Sequence, residues 1–255
     1  MTAEERRAGT LEHLRPYIER AQTFSGWSFD DLRVKHLDPP MPWDYEAIAR
    51  EHATRSSRVL DFGTGGGEVL SRIASGLAAR FIASEEWHVN VPVARARLAP
   101  LGIDVLRADS TRPPFRDASF DLVLDRHEAL DPAATARLLR PGGTVITQQC
   151  GSDDWRELNR FFPHGTDFGD HYRTYAEGFA SAGLTIERRE RHERRSAYPD
   201  LGDVVYMLLV APWWQPSFDP EQDIDTLLAL EDGLRTEDGI VLTDVRYLLI
   251  ARKPM

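Results

Sequence analysis

The sequence predicts a doubly wound α/β protein with a mostly parallel sheet, and three observations carry that prediction. From Arg58 onward, short apolar runs alternate with helical stretches, the pattern of successive βαβ units. The first run, Val59-Leu60-Asp61-Phe62, leads straight into Gly63-Thr64-Gly65-Gly66-Gly67 and then a helix marked by Val69, Leu70 and Ile73. The 255 residues are 42% hydrophobic and 28% charged, which suffices to bury such a core and excludes disorder as the main state.

Taken in order, the elements begin with a helix. Leu11, Leu14, Tyr17, Ile18, Ala21 and Phe24 share one face at three- and four-residue spacing, and Gly26 ends the run. Residues 27–43 mix aromatics with Arg33, Lys35, His36 and a Pro-rich cluster, the composition of an ordered connector, and a second helix follows at 45–54. Strands are predicted at 59–62, 81–84, 104–107, 121–124 and 144–147. Asp131 is a helix N-cap with Pro132 at the first helical position, and Pro141-Gly142-Gly143 turns that helix into the fifth strand. Beyond Gly151 the pattern gives helices at 154–161 and 172–182, the second ended by Gly183. A strand from Leu184, a helix at 220–235 and a strand at 245–251 complete the chain.

Charge and cysteine content narrow the function. The 31 Lys and Arg stand against 41 Asp and Glu, a net charge of −10, and that field opposes binding to a phosphate backbone. Cys150 is the one cysteine, so an intramolecular disulfide and a thiolate zinc site are excluded and a cytoplasmic protein is expected. No apolar segment follows the charged opening MTAEERRAGT, and the longest apolar stretch, 204–214, is broken by Pro212, so no targeting or membrane segment is expected. In Glu187-Arg188-Arg189-Glu190-Arg191-His192-Glu193-Arg194-Arg195 three glutamates offset five arginines, the composition of a solvated surface. His164, Asp167, Asp170 and His171 follow no compact metal-ligand spacing, so no metal is expected. Trp213 and Trp214 are expected to pack between helix and sheet.

The glycine run is the strongest functional signal. Glycines after a strand let a ligand approach the backbone at the start of the next helix. A dinucleotide fingerprint would place its third small residue where Glu68 stands, and that carboxylate would crowd a pyrophosphate. Asp61-x-Gly63-x-Gly65-x-Gly67 instead resembles the class I S-adenosylmethionine-dependent methyltransferases. Glu85 lies 20 residues beyond Gly65, with Glu86 as the adjacent alternative, and Asp109-Ser110 follows the third strand. Asp121-Leu122-Val123-Leu124 and Leu138-Leu139-Arg140-Pro141-Gly142-Gly143 extend the resemblance, which covers residues 58–151.

The resemblance implies a seven-stranded sheet with an antiparallel strand near the C-terminus, S-adenosylmethionine as cofactor and S-adenosylhomocysteine as product. It also implies a cofactor set of Asp61, Gly63, Thr64, Gly65, Gly67, Glu85 or Glu86, Asp109, Ser110 and Arg126, with Asp61 near the ammonium, Glu85 on the ribose and Asp109 near adenine. A cationic sulfonium and ammonium suit an acidic loop. Domain limits are expected at 1–54, a helical cap or lid, and 55–255, the methyltransferase domain with acceptor-site insertions at about 152–182. In this family the acceptor lies over the fourth and fifth strands, which makes His127 and Glu128 the catalytic candidates and Gln148 and Gln149 acceptor contacts; Arg126 could also pair with an acceptor carboxylate. Trp27, Arg33, His36 and Trp43 are the substrate-binding candidates of the cap, and Trp155, Phe161, Phe162, Phe168 and Tyr172 could roof the site. The expected partner is a small-molecule acceptor, with the protein a monomer or homodimer, nucleic acid disfavoured and no membrane expected. Two alternatives are an rRNA or tRNA base methyltransferase and a non-catalytic S-adenosylmethionine-binding regulator.

Overall fold

A computed structural model of the chain describes residues 2–29 and 31–255. Its strands are β1 (Lys35–His36), β2 (Arg58–Phe62), β3 (Arg80–Glu85), β4 (Asp104–Arg107), β5 (Phe120–Arg126), β6 (Leu139–Cys150), β7 (Thr185–Tyr198), β8 (Arg235–Thr236) and β9 (Gly239–Arg252). The helices are α1 (Ala3–Gln22), α2 (Tyr45–Thr54), α3 (Glu68–Ala74), α4 (Asn90–Leu98), α5 (Pro132–Leu138), α6 (His171–Ser181), α7 (Leu201–Val210) and α8 (Ile224–Leu234).

All nine strands join one sheet in the order β1-β7-β9-β6-β5-β2-β3-β4, with β8 paired to β9. The five strands β4, β3, β2, β5 and β6 are mutually parallel. β9 runs antiparallel to both β6 and β7. Without the two-residue pieces β1 and β8, this is the seven-stranded, mostly parallel sheet of the class I methyltransferase fold, with β9 as its reversed strand.

The inner parallel strands β2 and β5 are buried on both faces, so their residues form near-continuous apolar runs instead of alternating with polar ones, while β4 at the edge is exposed at both ends. Val59, Leu122 and Leu124 face α2, α3 and α4, while Leu60, Phe62, Val123 and Val145 face α5 and α6. Asp131 caps α5 by accepting the Ala134 N–H at 2.6 Å, with Pro132 at the first position. Asp44 does the same for α2 through Ala47.

Several elements differ from the sequence expectation. α1 begins at Ala3, eight residues before Leu11, because Thr2 and Glu5 form a reciprocal capping box ahead of the apolar face. Pro141-Gly142-Gly143 lies inside β6, where Gly142 takes a left-handed φ of 77° and pairs with the C-terminal tail. The helix expected at 154–161 is one 3-10 turn, Arg156–Arg160, since Trp155 before it is held at φ 54°. The apolar stretch at 204–214 holds most of α7, a buried helix with no polar stripe to betray its period. β9 starts at Gly239, earlier than Val245, and Trp213 is exposed instead of packed between helix and sheet. Trp214 does pack, against Trp155 at 4.7 Å between ring centroids.

β7 and β9 are 14 residues each and pair far beyond the end of β6. Beside that overhang, Gly151 and Trp155 donate backbone N–H bonds to the Val245 and Thr243 carbonyls, continuing the missing edge of β6. The overhang, the 3-10 turn, α1, α7 and α8 bury a third apolar cluster around Leu14, Val204, Leu227 and Leu242. The N-terminal helix is therefore one part of a cap assembled from both ends of the chain, and β1 docks on β7. No helix among the described residues is long and apolar enough to cross a membrane.

Leu14 is fully buried in the cap cluster, so Leu14→Ala should destabilise the protein by about 2–5 kcal/mol in chemical denaturation. A loss below about 0.5 kcal/mol, the surface-substitution range, would mean that α1 is not docked as described.

Candidate active site

The C-terminal ends of β2, β3 and β5 bring the predicted glycine loop and its acids together. Gly63, Gly65 and Gly67 have φ values of 54°, 61° and 82°, a left-handed series that side chains resist. Close neighbours add a second requirement. A Cβ on Gly63 would fall 2.4 Å from Glu128 Oε2, and one on Gly65 would fall 2.3 Å from Trp27 Cδ1. The Glu128 carboxylate and the Trp27 indole thus lie directly on the loop.

Glu85 closes the far side of the loop. Its Oε2 accepts the Gly65 N–H at 2.7 Å and its Oε1 accepts the Trp87 N–H at 2.8 Å. Burial raises its pKa against those two bonds. Glu86, its neighbour, is exposed. Asp61 is buried at the end of β2, and desolvation pushes its pKa up to about 7, with Thr64 opposing the shift and Glu85 adding to it. Glu128 is likewise pushed up to about 7, by burial first and then by the Glu85 charge. Its Oε1 accepts from Ser110 Oγ at 3.3 Å. Asp109 follows β4, and its Oδ1 accepts both the backbone N–H and the hydroxyl of Thr111. Those bonds lower the Asp109 pKa.

A fourth acid joins this group. Asp125 is completely buried, its pKa is raised well above the carboxylate range by burial and then by Glu128, and its Oδ2 has no hydrogen-bond partner. Gln149 Nε2 lies within 3.0 Å of Asp125 Oδ1 and 2.6 Å of the Glu128 carbonyl. No Lys or Arg among the described residues forms an ion pair with Asp61, Glu85, Asp125 or Glu128. Arg126 is exposed, near enough to favour the Asp61 anion but not paired with it.

His127 takes φ 64°, uncommon for a residue with a side chain. The Trp43 indole N–H donates to Gln148 Oε1 at 2.8 Å, which fixes that amide. Gln148 Nε2 then donates to His127 Nε2 at 3.2 Å, placing the ring proton on Nδ1. The residue is exposed, and desolvation of the ring, then the charges of Arg126 and Arg246, lower its pKa.

The remaining candidates divide. Trp27 joins an aromatic group over the loop, with Phe24 at 5.3 Å, Trp213 at 5.6 Å and Trp87 at 6.2 Å between centroids. Arg33 is exposed and its charge is felt by Tyr17 and Asp203 on the cap, away from the loop. His36 sits on β1 with Nδ1 3.0 Å from Ser196 Oγ. Of the aromatics after β6, Trp155 and Phe162 are buried in the cap core and Tyr172 packs on Tyr247 at 5.2 Å. Sequence reasoning gave no role to Asp125 or Asn90. Asn90 accepts the Gly26 N–H at 2.7 Å and so ties the connector to the loop's flank. An acid closing an apolar strand, as Asp125 does, was the one signal available.

Comparison with known proteins matches residues 59–143 to a family model described as a methyltransferase domain. That stretch is a methyltransferase domain. It contains Asp61, the glycine loop, Glu85, Asp109 and Glu128. Solved structures share the fold of nearly the whole chain. A protein of unknown function from Deinococcus radiodurans R1 is 18% identical with a TM-score of 0.61, covering 87% of this chain and 92% of its own. The [4+2]-cyclase SpnF is 15% identical with a TM-score of 0.57, covering 95% and 93%. A geranyl diphosphate methyltransferase solved in complex with SAM is 15% identical with a TM-score of 0.52, covering 82% and 84%. No curated protein matches.

The acids of the methyltransferase domain make stability depend on pH. Asp61 and Glu128 hold their protons more tightly folded, near 7, than unfolded, near 4, so the folded state binds more protons and stability falls as pH rises through that window. Denaturation midpoints at pH 5 and pH 8 should show this fall, and Asp61→Asn should flatten it; an unchanged slope in that variant would contradict the assignment.

Proposed function

We propose that the chain transfers a methyl group from S-adenosylmethionine to an O, N or C atom of a small molecule. The observation that supports the cofactor is the group of three carboxylates, Asp61, Glu85 and Glu128, around the glycine loop without a cationic partner. A ligand carrying sulfonium and ammonium charges supplies what this loop lacks, whereas a pyrophosphate would add to the repulsion.

The bound cofactor would supply a methyl group already activated by the sulfonium. The chain's own residues hold and align. In this reading Asp61 takes the ammonium, Glu85 uses the lone pairs left by Gly65 and Trp87 on the ribose hydroxyls, and Asp109 with Ser110 borders the adenine. Thr64 and the three alternate glycines shape the loop. Trp27 rests on Gly65. In this reading Glu86, which is exposed, takes no part in the set, and the exposed Arg126 stands at its rim.

Among the proton-handling groups, Glu128 suits the base role better than His127. A carboxyl titrating near 7 is about half ionised at neutral pH and can take a proton there. The lone pair on His127 Nε2 is engaged by Gln148, so the imidazole is assigned to positioning, through Trp43, Gln148 and its own Nδ1–H. Gln149 orients Glu128 through its carbonyl.

The net charge of −10 supports a small-molecule acceptor over RNA, and the expected cytoplasmic setting agrees with a single cysteine. The cyclase with the same fold makes turnover, not fold, the deciding evidence. Glu85→Gln and Asp61→Asn should each weaken S-adenosylhomocysteine binding by about tenfold or more in calorimetric titration. Unchanged affinity in both would overturn the assignment. For the base, Glu128→Gln should lower methyl transfer by about 10²-fold or more once an acceptor is in hand, and His127→Ala by less; the reverse order would exchange their roles.

A further inference from the structure

The strand ends beside the acidic loop carry the opposite charge. In register, Arg126 of β5 lies next to Gln148 of β6, and Arg246 of β9 lies next to Cys150, two residues further along β6. Paired residues leave a sheet on the same face, and so do residues two apart, so these four side chains share one face. Trp43 covers that face, with its indole N–H on Gln148. His127 joins them, because its φ of 64° turns the ring onto the Gln148 amide at 3.2 Å.

Each of these three basic side chains keeps donors in reserve. Arg126 is exposed and forms no hydrogen bond or ion pair with a described residue. His127 is exposed as well, and with Gln148 on Nε2 its Nδ1–H has no partner among the described residues. Arg246 donates from Nη1 to Asp154 at 2.6 Å and to the Val245 carbonyl at 2.8 Å. Its Nε and Nη2 make no hydrogen bond to a described residue, and the side chain is 21% exposed. The three groups are close to one another: after burial, the charges of Arg126 and Arg246 are what lower the His127 pKa.

The nearby acids are turned away or engaged. Glu128 points at Gly63, and Asp154 Oδ1 is held by Arg246 and the Val245 N–H. Because Asp154 balances Arg246, the uncompensated charge is that of Arg126. One positive charge with planar, forked donors matches a monoanion with two acceptor oxygens, which is a carboxylate; a phosphate dianion would bring a charge too many.

We propose that Arg126, the Nδ1–H of His127 and Arg246 bind the carboxylate of an organic acid, and that this acid is the methyl acceptor. The binding claim stands on this group of donors; the acid's identity as acceptor rests on the methyltransferase reading above. Its anchor at Arg126 lies two residues from Glu128, the base assigned in that reading.

The test uses four probes that share a phenyl ring and differ in the end group: phenylacetate, 2-phenylethanol, phenethylamine and phenyl phosphate. Each is titrated into the full-length, histidine-labelled protein in the presence of excess S-adenosylhomocysteine. The ring-nitrogen NMR signals of His127 are followed, identified by their loss in His127→Gln. Phenylacetate should shift the Nδ1 signal saturably and bind about tenfold or more tightly than the alcohol or the amine, and more tightly than the phosphate. Arg126→Gln should weaken phenylacetate by about tenfold or more, and Arg126→Lys by less. Arg246→Lys keeps a charge opposite Asp154 but removes the fork, and should also weaken it; if that variant fails to fold, Arg126→Gln, at an exposed position, still decides. Equal binding of the amine or alcohol, tighter binding of phenyl phosphate, an unmoved His127 signal, or unchanged affinity in Arg126→Gln would overturn the proposal. S-adenosylhomocysteine binding is measured separately by calorimetry. If phenylacetate behaves as expected in a protein that fails to bind S-adenosylhomocysteine, the carboxylate site stands and the cofactor assignment falls. If S-adenosylhomocysteine binds and phenylacetate leaves His127 unmoved, the cofactor assignment stands and the carboxylate site falls.

Discussion

Negative charge held out of water without a counter-charge governs the site and much of what surrounds it. Asp61, Glu85, Asp125 and Glu128 gather where β2, β3 and β5 end, and burial raises the pKa of every one. Removing a carboxylate from water is costly, and placing four together multiplies the cost through their mutual repulsion. The protein answers with backbone N–H donors to Glu85, with Gln149 across Asp125, and with partial protonation at neutral pH. None of these supplies a positive charge. A cation entering the loop would lower all of the raised pKa values together, which ties ligand binding to proton release and to stability.

That concentration of charge also accounts for the shape of the loop. Three glycines at positive φ bring the backbone close enough for the Gly65 N–H to reach Glu85 and for Glu128 and Trp27 to lie on the chain itself. The layers above follow from the lengths of β7 and β9. Because both run past the end of β6, they form a platform on which α1, α7 and α8 build a separate apolar cluster over the strand ends. The connector from α1 then descends beside the glycine loop, held by Asn90 at Gly26, and sends Trp43 to fix Gln148.

How far the sequence revealed this depended on the range of the interactions involved. The inner parallel strands were legible because burial on both faces leaves continuous apolar runs, and α5 because Asp131 is a local cap. The acids after β2 and β3 were legible because one strand and one turn fix their place. α7 was not, since a helix buried all round carries no amphipathic period. The start of β9 depends on the pairing of Ile240 with Tyr198 of β7, and the docking of α1 on contacts with residues some two hundred positions later, such as the Arg6 pair with Asp232 at 2.8 Å, which no local pattern encodes. Asp125 sat in view at the end of its strand, but the lack of a donor for its Oδ2 is a three-dimensional property. The link from Trp43 through Gln148 to His127, which fixes the histidine tautomer, joins three separate elements for the same reason.

The most direct test of the charge account is calorimetric titration of S-adenosylmethionine at pH 6.5 in two buffers of different ionisation enthalpy, with NAD titrated in parallel. With Asp61 and Glu128 titrating near 7, S-adenosylmethionine should bind with net release of protons, visible as a heat that differs between the buffers, and NAD should not bind. Binding without proton release, or NAD binding as tightly as S-adenosylmethionine, would contradict the claim that this loop is built to receive a cation.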